Sequence, residues 1–484
     1  MRILVSGATG YVGSRLIPRL VAAGHEVSCM VRDAWRVDPR VAESTRVVVA
    51  DALQPESVAA AMQGIEVAYY LIHSMSASGG DFQERDQLAA HNFAVAARQA
   101  GVNRIIYLGG LASETSQISL HLKSRHETGA ALRRFGPPVT EFRAGIIVGN
   151  GSVSFELIRY LTERLPLMIC PRWVITRTQP IAIDDVLDYL VAVLQSPEST
   201  GQVVEIGGAT IETYRSMMLT YARARRLRRW LLRVPVLTPR LSSYWLRLVT
   251  PIPTSIARPL IEGLRTEVVC KSTRAAEMFP AIRPMGYAAA IEKTMTRALP
   301  DESLSAALPS NPAHLFVRRD GILCDVRQAL TDASPTDLFS VIARLGGSNG
   351  YLYANSLWRI RGWLDRCLGG VGMKPSPGRA HLNKSDHIDF WYVQDLEADH
   401  RLLLRAEMKL PGRAWLEFLV SPQPSGRTLV RCCAWFEPRG LLGELYWWVL
   451  YPVHILIFRG MVQAVCRKAT RGVTIQPAYT GPNA

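Results

Sequence analysis

The sequence predicts an α/β protein: a doubly wound parallel sheet over residues 1–300, followed by an α+β domain over residues 310–470. Three observations carry this. The glycine pattern Gly7-Ala8-Thr9-Gly10-Tyr11-Val12-Gly13 stands between a short apolar run and an amphipathic stretch. Through the first half, short apolar runs alternate with stretches of helical spacing, which is the signature of βαβ units. Beyond residue 380 that alternation gives way to period-two segments bounded by Gly or Pro, and then to one long apolar stretch.

Residues 2–6 read as the first buried strand and Ser14–Ala23 as the helix after it. Gly7 allows the tight turn, Gly10 lets backbone approach a pyrophosphate, and Gly13 lets the helix pack closely on the strand. The helix N-terminus then faces the phosphates. The second strand, Glu26–Val31, leads into Arg32. An Arg there suits the 2′-phosphate of NADP, whereas a carboxylate would hold the ribose of NAD. Asp33 comes directly after, so NADP(H) is favoured and NAD(H) stays open. The third strand, Arg46–Ala50, ends at Asp51 and Ala52, placed either near an adenine or as a cap for the next helix. The fourth, Val67–Ile72, carries Leu71 and ends at His73; the fifth, Arg104–Leu108, ends at Gly109-Gly110. The intervening helices are Gln54–Gln63, Asp81–Ala100 and Leu122–Phe135, and Val139–Val148 reads as a sixth strand. Ligands of such a sheet sit at the carboxyl ends of its strands, where Leu71, His73 and Gly109 fall.

The chain has 484 residues, 48% apolar and 20% charged, which excludes a disordered chain and a small disulfide scaffold. The eight cysteines form no CxxC pair and read as buried thiols in a reducing compartment. The ten histidines show no metal-ligand spacing. The net charge is +15, and residues 221–274 carry twelve Lys or Arg against two Asp or Glu. Trp230 and Trp245 interleave with these charges. The segment therefore reads as a groove for an anionic ligand or a patch for an anionic membrane, and not as a nucleic-acid module. Residues 214–233 read as a basic helix, and five prolines between 234 and 259 rule out a long helix beyond it, giving a cap over 214–270. Leu441–Phe458 is the longest apolar run; Glu444, Pro452 and His454 interrupt it, which fits a buried or interfacial helix better than a spanning one. The chain opens directly on a strand, with no signal peptide, and the expected location is the cytoplasm with peripheral membrane contact.

Gly7–Gly13, Arg32, Asp51 and the stretch Pro180–Val186 resemble the short-chain dehydrogenase/reductase superfamily with its Rossmann sheet. The nearer likeness is to its atypical extended members, the NmrA-like and YbjT-like proteins and the NADPH-binding accessory subunit of respiratory complex I. The resemblance covers about residues 1–300 and implies NAD(P) binding through Gly7, Thr9, Gly10, Tyr11, Val12, Gly13, Arg32, Asp51, Ala52, Leu71, His73 and Gly109. Active members use a Tyr-x-x-x-Lys pair and a Ser at the end of the fifth strand. Here the Ser position reads as Gly109 or Gly110, with Ser113 nearby. Ser119-Leu120-His121-Leu122-Lys123-Ser124-Arg125 holds no Tyr: one register pairs His121 with Arg125, the other Ser119 with Lys123. His121 is the candidate general acid, with Lys123 and Arg125 as its candidate partners.

In the C-terminal part, Gly321–Val326 reads as a strand and Ser334–Asp337 as a helix start. The segments 388–393, 401–408, 414–420 and 428–436 read as antiparallel strands before the apolar stretch Gly443–Val465. This order resembles the SRPBCC/START-like helix-grip fold. Tyr353-Ala354-Asn355, Trp358–Asp365, Asp389-Phe390-Trp391 and Met408–Gly412 resemble the domain found after the dehydrogenase half in YbjT-like proteins. Seven of the eleven Trp lie here, which suits a hydrophobic ligand. Residues 471–484 form a tail. Two functions are open: an NADP(H)-dependent oxidoreductase acting on a hydrophobic carbonyl or enone, or a non-catalytic NADP(H)-binding redox sensor or assembly factor.

Overall fold

The computed structural model describes residues 1–73, 82–112, 119–170, 172–233, 262–296, 314–319, 321–373, 382–423 and 425–471. The chain divides into two compact units, Met1–Ala307 and Leu308–Ala484. Ser113, most of the proline-rich part of the expected cap (234–261) and nearly all of the tail lie outside the described residues.

The first unit is built on seven parallel strands: β1 (Arg2–Ser6), β2 (Glu26–Val31), β3 (Arg46–Val49), β4 (Val67–Tyr70), β5 (Arg104–Gly110), β6 (Val139–Ala144) and β7 (Val203–Ile206). Their order across the sheet is β7-β6-β5-β4-β1-β2-β3. β1 pairs in parallel with β2 on one side and β4 on the other, with Ile3 opposite both Val27 and Val67. The direction of the winding therefore reverses between β1 and β4, and this is where such sheets open a crevice. Alternate side chains of β1 enter opposite cores, because successive Cβ atoms point to opposite faces. Ile3 and Val5 pack with Leu16, Ile17 and Leu20 of helix α1 (Gly13–Ala22). Leu4 packs with Val58 of α2 (Pro55–Ala61) and Phe93 of α3 (Phe82–Gln99). Helix α4 (Leu120–Phe135) joins the same face through Leu132. Each such fully buried aliphatic side chain contributes roughly 1.5–3 kcal/mol.

Two expectations fail in this unit. The run 139–148 is not one strand. It stops at Ala144; at Gly145 the backbone runs so close to Gln179 that an added Cβ would sit 2.9 Å from its carbonyl oxygen, and Ile147–Val148 pairs with Ile181–Ala182 instead. Residues 214–233 are not one helix. Helix α6 (Tyr214–Ala224) packs on α5 (Val153–Arg164), and it ends where Arg226 turns to φ 53°. Trp230–Arg233 is a short strand pairing in parallel with Leu167–Cys170. The arginines between have a structural task. Arg225 Nε donates to Glu163 Oε1 at 2.7 Å and Arg229 Nη2 donates to the Glu163 carbonyl at 2.9 Å, at the C-terminus of α5, where cations satisfy the last carbonyls.

The second unit is a seven-stranded antiparallel sheet in the order β8-β9-β14-β13-β12-β11-β10. Its strands are β8 (His314–Arg319), β9 (Ile322–Thr331), β10 (His387–Ile388), β11 (Trp391–Glu397), β12 (Arg401–Ala406), β13 (Gly412–Pro422) and β14 (Thr428–Pro438). The hairpin partner β8 is absent from the sequence reading, since a short segment ending in two arginines carries little strand signal. Between β9 and β10 lie helices α7 (Pro335–Ile342) and α8 (Asn355–Cys367). Ser334 caps α7 by accepting from the Asp337 amide. The last helix, α9 (Gly440–Thr470), lays Ile457, Phe458, Met461, Val462 and Val465 on Leu404, Leu416, Phe418 and Val430 of the sheet. Eight cysteines are free thiols, and Cys367 is exposed, contrary to the expectation that all are buried. One strand carboxylate is internal: Glu417 is fully buried, accepting from Arg401 Nε at 2.7 Å and from Trp435 Nε1 at 2.9 Å. Glu407 instead meets His387 Nδ1 at 3.0 Å near the surface.

Candidate functional site

A cleft of about 930 Å³ runs along the carboxyl ends of β1, β2, β4 and β5. Every cofactor residue expected from the sequence lines it: Gly7, Thr9, Gly10, Tyr11, Val12, Gly13, Arg32, Asp51, Ala52, Leu71, His73 and Gly109. The glycine turn is built as a cradle. Gly7 has φ +69°, and a Cβ there would sit 2.6 Å from the Leu71 carbonyl oxygen. A Cβ on Gly13 would sit 2.3 Å from the Gly7 carbonyl oxygen. Gly10 closes the turn by donating its amide to the Gly7 carbonyl at 2.9 Å. Helix α1 begins with no side-chain cap and no acidic residue in its first turn, which leaves its positive end available to an anion. These features fit a dinucleotide pyrophosphate.

Arg32 reaches the cleft at the end of β2. Its neighbour Asp33 lies 3.9 Å from Arg36, and the cleft lining passes it by. Asp51 lines the cleft and accepts from the Leu53 amide at 3.0 Å, a turn before α2 and not the cap of α2 itself.

The catalytic candidates divide. His121 and Arg125 lie one turn apart on α4 and both line the cleft. Lys123, two residues from each, does not. Its side chain is about half exposed and sits 3.8 Å from Glu127, so the assignment of Lys123 to the site is corrected: positions i and i+2 of a helix face different ways. Ser119 serves as the N-cap of α4, accepting from the Leu122 amide. The register that places His121 with Arg125 is therefore the one brought to the cleft. Gly109 and Gly110 both line it, and a Cβ on Gly110 would meet Leu122 Cδ2 at 2.9 Å. Tyr107 on β5 is buried, with its hydroxyl donating to the Arg125 carbonyl at 2.8 Å. The Arg125 guanidinium donates to the Leu108 carbonyl, which holds it against the end of the strand.

His121 is not alone. Its Nδ1 lies 3.2 Å from His73 Nε2, and His73 Nδ1 lies 3.2 Å from Asp86 Oδ2. Ser124 Oγ donates to the same Asp86 oxygen at 3.2 Å. Asp86, on α3, is buried and has no place in the sequence reading. It lies thirteen residues from His73, and the one available signal is an acidic residue on the inward side of a helix. Burial pushes His121 down to about 3, reinforced by the positive charges available to His73 and Arg125. Burial also lowers His73, against the pull of Asp86. Both rings are therefore neutral at pH 7, and His121 is not a standing imidazolium. With Asp86 ionised, His73 donates from Nδ1 and accepts at Nε2. His121 then donates from Nδ1, which leaves a lone pair on its own Nε2.

Residues 7–134 match the family described as NAD(P)H-binding, and residues 319–461 match a family described as a protein of unknown function, DUF2867. Residues 7–134 are thus an NAD(P)-binding stretch, and the first unit has a Rossmann-like parallel sheet. A 3-diazoavenalumate denitrifying reductase of Streptomyces sp. is 40% identical over 116 residues, 22% of this chain and 36% of its own length. The photosystem II assembly factor Ycf39 of Cyanophora paradoxa is 26% identical over 199 residues, 40% of this chain and 59% of its own. The chain thus spans between about a third and three fifths of the curated relatives it matches. The triphenylmethane reductase of Citrobacter sp. superposes with a TM-score of 0.50 at 18% identity, covering 61% of this chain and 99% of that one; this likeness is one of fold.

Proposed function

We propose that the chain is an NADP(H)-dependent reductase of a hydrophobic carbonyl or enone, with His121 as the proton donor. The observation that carries this is the chain Asp86–His73–His121, whose last ring lines the same cleft as the glycine cradle. Arg32, reaching the cleft where Asp33 does not, favours the 2′-phosphate of NADP(H) over NAD(H). Leu108, Leu111, Ile146, Val153 and Leu264 give the cleft an apolar wall suited to a hydrophobic substrate. The relative named a reductase supports the reaction class.

The cleft would hold a nicotinamide dinucleotide on the Gly7–Gly13 turn, and that group would supply the hydride. The residues manage the proton. Uptake of one proton by the chain places hydrogens on Asp86, on His73 Nε2 and on His121 Nε2. His121 then gives its Nε2 proton to the substrate oxygen and takes one at Nδ1 from His73, which takes one at Nδ1 from Asp86. The net proton delivered is the one held by Asp86, and neither imidazole carries a full charge at rest. In the second unit, the order of sheet and closing helix supports a helix-grip domain that holds a hydrophobic ligand.

The test is NADPH oxidation against a panel of aliphatic and aromatic aldehydes, enones and quinones. The expected result is turnover that falls about 10²–10⁴-fold in His121→Gln with NADPH affinity kept, the usual contribution of a positioned acid. Unchanged turnover in His121→Gln overturns the donor role. Tight NADPH binding with no oxidation across the panel favours the second reading, a non-catalytic NADP(H) sensor or assembly factor, which the likeness to an assembly factor supports.

A further inference from the structure

The outward face of α9 has the wrong character for a water-facing helix. Its exposed positions recur at three and four residues and include Leu441, Leu442, Leu445, Trp448, Val449 and Leu456; Leu442 is 74% exposed and Val449 65%. Within this stretch the inner side is held by Trp447 against Leu323 and Phe436, and farther along Ile457, Phe458, Met461, Val462 and Val465 are committed to the sheet. A surface helix normally reverses this, with one apolar stripe facing the core. The outward face then changes character along its length. After Leu456 its exposed residues are Arg459, Gln463, Arg467, Lys468 and Thr470. Helix α8 packs beside it, with Trp358 edge-on to Phe458 and Arg361 over the Tyr446 ring. It too exposes Ile360 and Trp363, and Leu368 just past its end.

We propose that this face of the second unit docks on an anionic membrane surface. Charge selects that occupant. Across α8, α9 and their adjoining residues, the arginines 359, 361, 366, 439, 459, 467 and 471 and Lys468 stand against two acids. Both acids are turned to the protein: Asp365 is buried and accepts from the Gly372 amide, and Glu444 pairs with Arg318 at 2.6 Å. An apolar face bearing tryptophan, with a basic stretch beyond it, is the pattern of helices that lie in the boundary between headgroups and acyl chains. By length and composition α9 could cross a bilayer, with a mean hydropathy of 1.5 in its most apolar window, but one third of that window is buried in the protein. The apolar outward stretch from Leu441 to Leu456 runs about 23 Å at 1.5 Å per residue, short of the roughly 30 Å hydrocarbon core. The helix therefore lies on the membrane and keeps its inner face on the sheet. The basic segment 221–274, expected from sequence to make this contact, is not the surface proposed: Arg225 and Arg229 in it are engaged with the end of α5.

The experiment is flotation of the full chain with large unilamellar vesicles of phosphatidylcholine containing roughly 30% phosphatidylglycerol, an anionic lipid, beside vesicles of phosphatidylcholine alone. The expected result is flotation with the anionic vesicles, at least about tenfold weaker on neutral ones and weakened by added salt. The triple variant Leu442→Glu, Leu445→Glu, Val449→Glu should lose it at least about tenfold while keeping the melting temperature and NADPH binding of the parent. The variant Arg459→Gln, Arg467→Gln, Lys468→Gln leaves the apolar stretch intact and should lose only the preference for anionic vesicles. It decides the matter if the first variant misfolds. Absence of flotation, flotation indifferent to both variants, or a concentration-dependent dimer in sedimentation that the triple variant abolishes would each overturn the proposal; the last would assign the face to a second copy of the chain.

Discussion

Gly13→Ala tests the cradle directly. The new Cβ would stand 2.3 Å from the Gly7 carbonyl oxygen, 3.0 Å from the Gly7 carbonyl carbon and 3.1 Å from Ala8 Cα. All three are backbone atoms, so no side chain can swing aside. Restoring ordinary contact requires the start of α1 and the turn to part by about 1 Å. Overpacking of this kind costs roughly 1–3 kcal/mol, which in a domain this size lowers the melting temperature by roughly 3–10 °C. The same displacement carries the helix N-terminus away from the pyrophosphate site. The expected loss is about 10–100-fold in NADPH affinity, or about 1.4–2.8 kcal/mol. Calorimetric titration and a thermal melt read the two effects. Gly24→Ala is the comparison. Gly24 has φ +81° and nothing within 4 Å of where a Cβ would stand, so alanine there is strained without crowding anything. It should cost about 1–2 kcal/mol of stability and leave NADPH affinity unchanged. If Gly13→Ala binds NADPH as the parent does, or if Gly24→Ala weakens binding equally, the turn is not the phosphate cradle.

Arg32→Ala should weaken NADPH binding about 10–100-fold and NADH binding little, since a hydrogen bond to a charged group contributes about 1.5–3 kcal/mol; equal losses for the two cofactors would remove Arg32 from the 2′-phosphate site. His121, ordinary when unfolded and lowered to about 3 when folded, takes a proton only in the unfolded chain between pH 6.5 and about 3. Stability should therefore fall as pH falls through that window, by up to about 1.4 kcal/mol per pH unit from this ring, and urea midpoints of His121→Gln should fall less steeply. An identical pH slope in the variant contradicts the buried neutral ring. In the second unit, Arg401→Met leaves Glu417 buried without its 2.7 Å partner and should cost about 3–5 kcal/mol, while Arg401→Met with Glu417→Leu should recover much of it. A thermal melt showing the double variant to be the less stable would refute that account.

How far the fold and the site were legible in the sequence depends on how local each signal is. The glycine turn, the strand ends and Arg32 are set by neighbours within one βαβ unit, and they line the cleft together. Lys123 was misplaced because a four-residue motif can be laid on the helix in two registers. The hydrogen bond of Ser119 to the Leu122 amide and the exposure of Lys123 choose between them only in three dimensions. Asp86 escaped for a related reason: its role rests on His73, across the loop that joins β4 to α3, and on Ser124 of the next helix, α4. The basic helix over 214–233 failed because the chain turns at Arg226, and because Arg225 and Arg229 close the end of another helix, a contact between distant segments. β8 failed because its partner β9 supplies the pattern that β8 itself lacks.

The antiparallel sheet of the second unit ends on one side in β10, which is two residues long, His387–Ile388. It covers only Trp391 and Tyr392 of β11, so the border is stepped, and a passing strand meets no long continuous row of backbone groups. The opposite border, β8, is held down by the Arg318–Glu444 pair to α9. A sheet closed in this way resists growth by strand addition even at high local concentration. Crowding of the chain on a surface would then bring copies together without seeding a fibril.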